Sequence, residues 1–133
     1  DAILNYKYTS CRKENVCMMF ELNDLSNLSI PVEKIIVILT NLLDNAIEAC
    51  MELNTERYIK IKFLVGKDVL LSIKNTTNKE LVSKNTITTS KENKILHGYG
   101  LKNIEKAVKE TGGISTINCE NGWFQYTILW NCC

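Results

Sequence analysis

The sequence predicts a two-layer α+β sandwich, in which helices cover one face of a mixed, mostly antiparallel sheet. Its 133 residues, with 45% apolar and 23% charged side chains, are typical of one globular domain. Segments with a helical period are interspersed with segments in which apolar and polar residues alternate, as they do in strands. Two pairs of these strand segments are joined by short turns, and such hairpins pair antiparallel.

The first part of the chain predicts a short helix, a strand and a long helix. Residues 1–13 place apolar side chains on one possible helical stripe, so we expect a helical lead-in. Residues 16–22 form an apolar run of strand length that turn-forming residues follow. A helix is expected from Pro31 to about Leu53, because Ser29 is a capping residue, Pro31 suits a first turn and no glycine or proline interrupts the period.

The remaining elements are four strands and a helix. The strands are expected at residues 57–65, 69–74, 114–120 and 123–130. The first two flank the turn Gly66-Lys67-Asp68, and the last two flank Asn121-Gly122, the strongest two-residue hairpin signal. A helical period from Leu101 to Thr111 ends at Gly112-Gly113.

The long helix carries an unusual polar stripe. Asn41, Asn45 and Glu48 lie on the side opposite to its apolar face, with Asp44 beside them. An asparagine inside a helix gives up about 0.5 kcal/mol relative to alanine, and carboxamide and carboxylate oxygens are ligands that Mg²⁺ accepts. A ligand site and an ordinary solvated face explain this pattern equally well. The apolar face consists of Ile35, Leu39, Leu42, Leu43, Ala46, Cys50 and Leu53.

The segment from about residue 76 to 99 is rich in Asn, Thr, Ser and Lys, which is typical of a functional lid or a disordered insert. Gly98 and Gly100 at its end precede a helix, whose unpaired first N–H groups attract phosphate. Lys91 lies where its charge could reach that phosphate. Each of these signals is weak alone, because lysines are usually solvated and short glycine motifs are common.

Charge and composition argue against other classes of protein. Sixteen basic and fifteen acidic side chains give a net charge of +1, whereas nucleic-acid binders carry a large positive surplus. The longest apolar run, residues 35–39, is far shorter than the ~20 residues of a membrane helix. The six cysteines include no Cys-x-x-Cys pair, so we expect no zinc site and free thiols in a reducing cytosol, with Cys50 buried.

Two motifs resemble the boxes of a known nucleotide-binding fold. Residues 41–49, Asn-Leu-Leu-Asp-Asn-Ala-Ile-Glu-Ala, resemble the N box of the GHKL superfamily, which includes gyrase, the 90 kDa heat-shock chaperone, histidine kinases and MutL. Residues 98–104, Gly-Tyr-Gly-Leu-Lys-Asn-Ile, resemble its second glycine box. The resemblance spans about residues 14–131 and implies the Bergerat/GHKL fold with an ATP lid. With Thr88-Thr-Ser-Lys91 before it, the second box is similar to peptide-pheromone (quorum-sensing) kinases of the accessory gene regulator and clostridial virulence type.

The resemblance implies a role for each matching residue. Asn45 would coordinate Mg²⁺ through its carboxamide oxygen. Asn41 stands where hydrolysing relatives usually carry a glutamate that activates water. Because a carboxamide accepts no proton near neutral pH, Asn41 would not activate water in this way. The resemblance therefore implies that the γ-phosphate is held for transfer. The catalytic residues implied are Asn41 and Asn45. The ATP-binding residues implied are Asn41, Asn45, Asn75, Lys91, Gly98, Gly100, Leu101 and Asn103.

One box of the family is missing. An Asp-x-Gly motif is expected after the first hairpin, where its aspartate accepts a hydrogen bond from the adenine amino group, but residues 72–78 contain neither Asp nor Gly. Asn75 is the expected substitute, because its carbonyl oxygen can accept the same bond. A neutral acceptor is weaker than a carboxylate, so we expect modest ATP affinity.

The implied function is that of the ATP-binding catalytic domain of a two-component sensor histidine kinase. Residues 14–133 would form this domain, and residues 1–13 a helical linker from a missing dimerisation hairpin that carries the acceptor histidine. His97, within the lid, is poorly placed for that role. The implied partners are this hairpin and a response regulator, with no nucleic acid and no direct membrane contact. We expect a cytoplasmic domain of a membrane-bound receptor kinase, monomeric alone and dimeric at full length.

Three alternatives remain open at this stage. One is an anti-sigma-type serine kinase on the same fold, although those relatives commonly keep an acidic residue at the position of Asn41. Another is a non-catalytic, nucleotide-sensing interaction module, which the missing Asp-x-Gly box favours. The last is a structural domain with a solvated asparagine face, which would bind neither ATP nor Mg²⁺.

Overall fold

The protein is represented by a computed structural model that describes residues 2–78, 87–89 and 101–131. Within these ranges, the helices are α1 (Ala2–Lys13), α2 (Val32–Met51) and α3 (Lys102–Glu110). The strands are β1 (Cys17–Leu22), β2 (Tyr58–Val65), β3 (Asp68–Thr76), β4 (Ile87–Thr89), β5 (Ile114–Glu120) and β6 (Trp123–Asn131). The elements expected from the sequence pattern are all present, with bounds that shift by a few residues.

The six described strands form one sheet in the order β1-β2-β3-β6-β5-β4. β1 runs parallel to β2, with Met18 opposite Ile59, and the other neighbours pair antiparallel. The predicted mixed, mostly antiparallel sheet is therefore confirmed. Both predicted hairpins are present as β2–β3 and β5–β6.

The first residues of the predicted lid, Thr76 and Thr77, belong to β3 or continue its pairing. Thr76 is the last residue of β3, and Thr77 continues the pairing because its N–H donates to the Gly122 carbonyl at 2.9 Å. β4 also falls inside the predicted lid and pairs with the outer edge of β5, with Thr88 opposite Ile117. Its Ile-Thr-Thr sequence is β-branched throughout, which suits a strand and covers an otherwise unpaired edge. The rest of residues 79–100 lies outside the described residues.

Helices cover one face of the sheet. On this face β2, β3 and β6 present alternate apolar residues, as strand geometry requires: Ile59, Ile61, Phe63, Val69, Leu71, Ile73, Phe124, Tyr126, Ile128 and Trp130, all buried. α2 packs against them with Ile35, Ile38, Leu39, Leu42, Leu43, Ala46, Ala49 and Cys50. The predicted apolar face of α2 is thus confirmed, except that the helix ends at Met51 and leaves Leu53 half-buried.

The start of α2 differs from the prediction in one respect. The N-cap position is Pro31 and not Ser29, and no side chain caps the helix. The Pro31 carbonyl accepts hydrogen bonds from the N–H groups of Lys34 and Ile35, which begins the helical ladder directly. Proline suits this position because its nitrogen carries no hydrogen and needs no acceptor.

The N-terminal helix α1 packs on the same side of the sheet. Leu4 is buried in the core, and the Tyr8 ring lies 5.9 Å from the ring of Phe20 on β1. The helical lead-in expected for residues 1–13 is therefore present over Ala2–Lys13. None of the helices in the described ranges is long and apolar enough to cross a membrane.

Candidate functional site

A small cavity lies where α2, β3, β6 and the start of α3 meet. Its volume is about 10 Å³, which is the space of about one water molecule. Its lining consists of Leu42, Asn45, Ala46, Ile73, Asn75, Leu101, Phe124 and Tyr126. The fold therefore brings together Asn45, Asn75 and Leu101, which the sequence predicted as site residues from three separate segments.

The two helix asparagines are placed differently. Asn45 is half-buried and reaches the cavity because Leu42 and Ala46, its neighbours on the same helix, are buried against the sheet. Asn41 lies one turn earlier and is also half-buried, but it is not among the residues that line the cavity. The structure thus places Asn45 at the cavity and Asn41 next to it along α2.

Asn75 orients its carboxamide through one hydrogen bond. Its side chain is 3% exposed, and Nδ2 donates a hydrogen bond to the Thr76 carbonyl at 2.9 Å. A carbonyl only accepts hydrogen bonds, so this contact assigns the nitrogen and leaves Oδ1 as the accepting end of the carboxamide, with no hydrogen bond to another described residue. Asn75 therefore offers a buried, oriented acceptor beside the cavity.

The residue after Asn75, Thr76, contacts both the start of β2 and the end of α2 through its hydroxyl group. The Tyr58 N–H donates to Thr76 Oγ1 at 2.9 Å, and Cys50 Sγ lies 3.7 Å from the same hydroxyl. Burial raises the pKa of the Cys50 thiol, and the Thr76 hydroxyl opposes part of that shift. Cys50 is fully buried, as predicted, and it packs where α2, β2 and β3 converge.

Tyr126 adds a polar group that the sequence reasoning missed. It is 1% exposed, and its hydroxyl makes no hydrogen bond of ordinary geometry to the described residues. Burial raises the pKa of Tyr126 to about 12, an effect that the nearby Ser115 hydroxyl opposes in part. In the β5–β6 register Tyr126 is opposite Ile117, so its side chain lies on the buried face of the sheet. A tyrosine at a buried strand position could have indicated, from sequence alone, a polar group in the core.

The start of α3 is the fourth wall of the site. Leu101 occupies the N-cap position, is completely buried, and provides no side-chain cap. The first N–H groups of α3 therefore lack a side-chain partner, which is the arrangement that favours an anion at a helix start. Asn103, in the first turn, is exposed. Lys91, His97, Gly98 and Gly100 lie outside the described residues.

The carboxylates expected on the polar stripe do not converge on the cavity. Asp44 forms an ion pair with Lys7 of α1, and Glu48 is exposed. In the part of the chain that the structure describes, no group of three or more His, Cys, Asp or Glu side chains could hold a metal ion. Asp44 is thus engaged with α1, and the carboxamide oxygens of Asn41 and Asn45 stay the predicted ligands.

The sheet, its helical layer and this cavity define the ATP-binding class of domain to which the two sequence motifs pointed. A sequence model described as the GHKL domain matches residues 30–131, and the chain belongs to this family, whose domains bind ATP. No curated protein matches the chain in sequence.

Solved structures of histidine kinases share the fold. A nucleotide-free catalytic domain of the histidine kinase ThkA superposes with a TM-score of 0.73 at 22% identity, over 98% of this chain and 91% of that one. The Acinetobacter baumannii histidine kinase AdeS gives 0.64 at 18% identity, over 98% and 63%. ThkA in complex with the response regulator TrrA gives 0.68 at 19% identity, over 99% of this chain and 40% of the other. This chain thus corresponds in extent to the catalytic domain and spans less than half of the ThkA chain in that complex.

Proposed function

We propose that this domain is the ATP-binding catalytic domain of a sensor histidine kinase and transfers the γ-phosphate of ATP to a histidine on a neighbouring dimerisation domain. The observation that carries the proposal is the meeting of Asn45, Asn75 and Leu101 at one cavity. These residues come from the two motifs and from the expected adenine position, which are far apart in sequence. The likeness to histidine kinase catalytic domains supports the same assignment.

Because the cavity has room for only about one water molecule, the adenine ring would lie against its Asn75 side and not inside it. Adenine offers an amino group as donor, and Oδ1 of Asn75 is an acceptor that the Thr76 carbonyl holds in one orientation. Leu42, Ile73 and Phe124 provide apolar surface for the ring. The neutral carboxamide explains why we expect a weaker contact than a carboxylate would make.

The triphosphate and Mg²⁺ are assigned to the other side, toward α2 and the start of α3. Asn45 and Asn41 offer carboxamide oxygens, and Mg²⁺ is typically held by one or two protein oxygens together with phosphates and waters. Bound Mg²⁺ would neutralise charge on the phosphates. The N–H groups at the start of α3, with Lys91, Gly98 and Gly100, would hold phosphate oxygens.

Transfer is favoured over hydrolysis because α2 offers the site no base for water. Asn41 accepts no proton near neutral pH, and the α2 carboxylate beside Asn45, Asp44, is paired with Lys7. Phosphoryl transfer depends mainly on positioning and electrostatic stabilisation, which fixed carboxamides and helix N–H groups can supply. The residues of this chain would therefore hold the phosphate in place for an acceptor that comes from outside the domain.

The partners follow from this reaction. The acceptor would be a histidine on a dimerisation hairpin to which α1 connects, and a response regulator would receive the phosphate next, as TrrA is the partner crystallised with ThkA. We further propose the peptide-pheromone type of sensor, a dimer at full length, and a cytoplasmic location of this domain beneath a membrane-bound receptor. The resemblance of residues 98–104 supports that subtype.

A reconstitution experiment tests the proposal. The domain is mixed with labelled ATP, Mg²⁺ and the separately produced histidine hairpin of the parent protein. The proposal predicts label on the hairpin, and none when the hairpin histidine is replaced by glutamine. ATP binding without transfer would instead support the non-catalytic, nucleotide-sensing module that the neutral Asn75 favours.

A further inference from the structure

A groove of about 460 Å³ crosses the face of the sheet that the helices leave open. It extends over β1, β2, β3 and β6, so the sheet separates it from the cavity with Asn45 and Asn75. Its lining includes Met19, Glu21, Lys60, Lys62, Lys74 and Gln125. The proposed nucleotide site does not use any of these side chains.

The groove carries more positive than negative charge. Three lysines and one glutamate line it, and the Lys62 ammonium lies 3.9 Å from the Glu21 carboxylate with both side chains about half exposed. Such an exposed pair interacts weakly. In the part of the chain that the structure describes, Lys60 and Lys74 form no ion pair.

Lys60 and Lys74 are held together at one point of the groove. They are directly opposite each other in the β2–β3 register, and like charges in such positions repel. The Trp123 ring lies close to both, with its centroid 5.0 Å from Lys60 Nζ and 4.7 Å from Lys74 Nζ. Cation–π attraction to the ring offsets part of the repulsion and keeps two ammonium groups side by side. A paired cation of this kind is a receptor for carboxylates or phosphates.

Apolar side chains lie along the same face as this paired cation. Met19 is directly opposite Lys60 in the β1–β2 register. Leu70 lines the groove four residues before Lys74 on β3, and its partner in the β3–β6 register, Leu129, is 37% exposed. Basic and apolar surface therefore adjoin along one face. This combination suits a ligand that carries both negative charge and apolar groups.

We propose that this groove binds an acidic peptide segment of a partner protein, in which carboxylates and apolar side chains lie on the same face of the segment. The carboxylates would meet Lys60 and Lys74, and the apolar side chains would meet Met19 and Leu70. A nucleic acid is a poorer fit, because the Trp123 ring is already engaged by these lysines and stacks on Tyr58 at 6.4 Å, which leaves little of it for a base. The proposal is independent of the nucleotide site.

Titration with a synthetic peptide that has Glu and Leu in turn at every second position, with Ser between them, tests this surface, because an extended chain then presents both residue types on one face. The double variant Lys60→Glu/Lys74→Glu should weaken binding at least about tenfold, because attraction becomes repulsion. The matched control Lys67→Glu reverses an exposed charge in the β2–β3 turn, outside the groove, and should change the affinity less than about twofold. Equal losses in both variants, or absence of saturable binding to the unaltered protein, would overturn the proposal.

Amide chemical shifts of the unaltered protein locate the bound peptide without relying on a variant that could fail to fold. We expect the largest shifts at Lys60, Lys74 and Trp123. Shifts confined to α2 or α3 would overturn the assignment of the groove. Tighter binding of a single-stranded RNA homopolymer than of the peptide would also overturn it, in favour of a nucleic-acid surface.

Discussion

Lys7 of the N-terminal helix forms an ion pair with Asp44, the residue that directly precedes Asn45 on α2. The Lys7 side chain is 13% exposed and that of Asp44 is 47% exposed, so the pair is partly shielded from solvent. The ion pair holds α1 against α2. α1 is the segment proposed to connect to a dimerisation hairpin, and α2 carries Asn41 and Asn45. The contact lies between residues 37 positions apart.

The shielding of this pair predicts a measurable coupling energy. A double-mutant cycle with Lys7→Met and Asp44→Asn should give about 0.5–1 kcal/mol in the free energy of unfolding, measured in urea. The control is a cycle on Lys34 and Glu110, whose side chains are 41% and 44% exposed. Its coupling should be smaller, since both charges are well solvated. A coupling of zero for Lys7 and Asp44 would contradict the structural role given to α1.

Gly113 is predicted to tolerate no side chain. A Cβ atom there would lie 2.7 Å from Trp130 Nε1, and that indole donates a hydrogen bond to Thr111 Oγ1 at 2.9 Å, which ties β6 to the end of α3. Gly113→Ala should therefore lower the free energy of unfolding by about 1–3 kcal/mol.

The matched control for this substitution is Gly66→Ala. A Cβ atom at Gly66 would meet nothing closer than the Asp68 carbonyl at 3.8 Å. The change in the free energy of unfolding should stay within about 0.5 kcal/mol. Equal effects of the two substitutions in urea melts would show that Trp130 is not packed against Gly113 as described.

We predict that ionisation of the buried Tyr126 hydroxyl destabilises the folded protein at high pH. Its pKa in the folded protein is about 12, above the ordinary value of 10, so the unfolded chain releases this proton first as the pH rises. Ionisation then favours the unfolded state between these two values, and the folded protein should lose about 2–3 kcal/mol from pH 10 to pH 12. Below pH 10 this contribution is constant.

The variant Tyr126→Phe isolates that contribution, because it removes the ionisable group and keeps the ring. The difference in free energy of unfolding between the two proteins should be close to zero below pH 10 and should grow in favour of the variant above it, because only the unaltered protein loses stability there. The variant should also be about as stable as the unaltered protein near neutral pH, since the hydroxyl it lacks forms no close hydrogen bond with the residues that the structure describes. A pH-independent difference would show that the Tyr126 hydroxyl is solvated.

Asn75 predicts a preference for adenine over guanine. In the proposed site its Oδ1 would accept a hydrogen bond from the adenine amino group, whereas guanine presents an acceptor at the corresponding position. Asn75→Ala should reduce the ratio of ATP to GTP affinity by about tenfold, which corresponds to one hydrogen bond, measured by competition with a fluorescent nucleotide analogue. An unchanged ratio would remove Asn75 from the adenine contact.

Sequence reasoning predicted the sheet, its hairpins and the buried face of α2, because these depend on local periodicity and turn residues such as Asn121-Gly122. Asn45 was singled out because a carboxamide in a helix interior is costly and because the residue matches the N box. Asn75 was predicted only through the resemblance, as the substitute for the aspartate of the missing Asp-x-Gly box. Their meeting at one cavity depends on the packing of α2 against β3.

What the sequence did not predict depends on long-range contacts. The pairing of Asp44 with Lys7 requires the docking of α1, which no local pattern encodes. The unpaired hydroxyl of Tyr126 depends on which side chains surround it in three dimensions. β4 was hidden in a polar segment because a strand of three residues is too short for alternation to be recognised.

Nucleotide titration tests the central claim most directly. The unaltered domain should bind a fluorescent ATP analogue saturably and more tightly with Mg²⁺ than without it. Asn45→Ala should weaken binding in Mg²⁺ at least about tenfold, as loss of a metal-ligand contact does. Asn54→Ala, at an exposed position after α2, should bind like the unaltered domain. Unchanged binding by Asn45→Ala, or no binding by the unaltered domain, would contradict the assignment of this cavity to Mg·ATP.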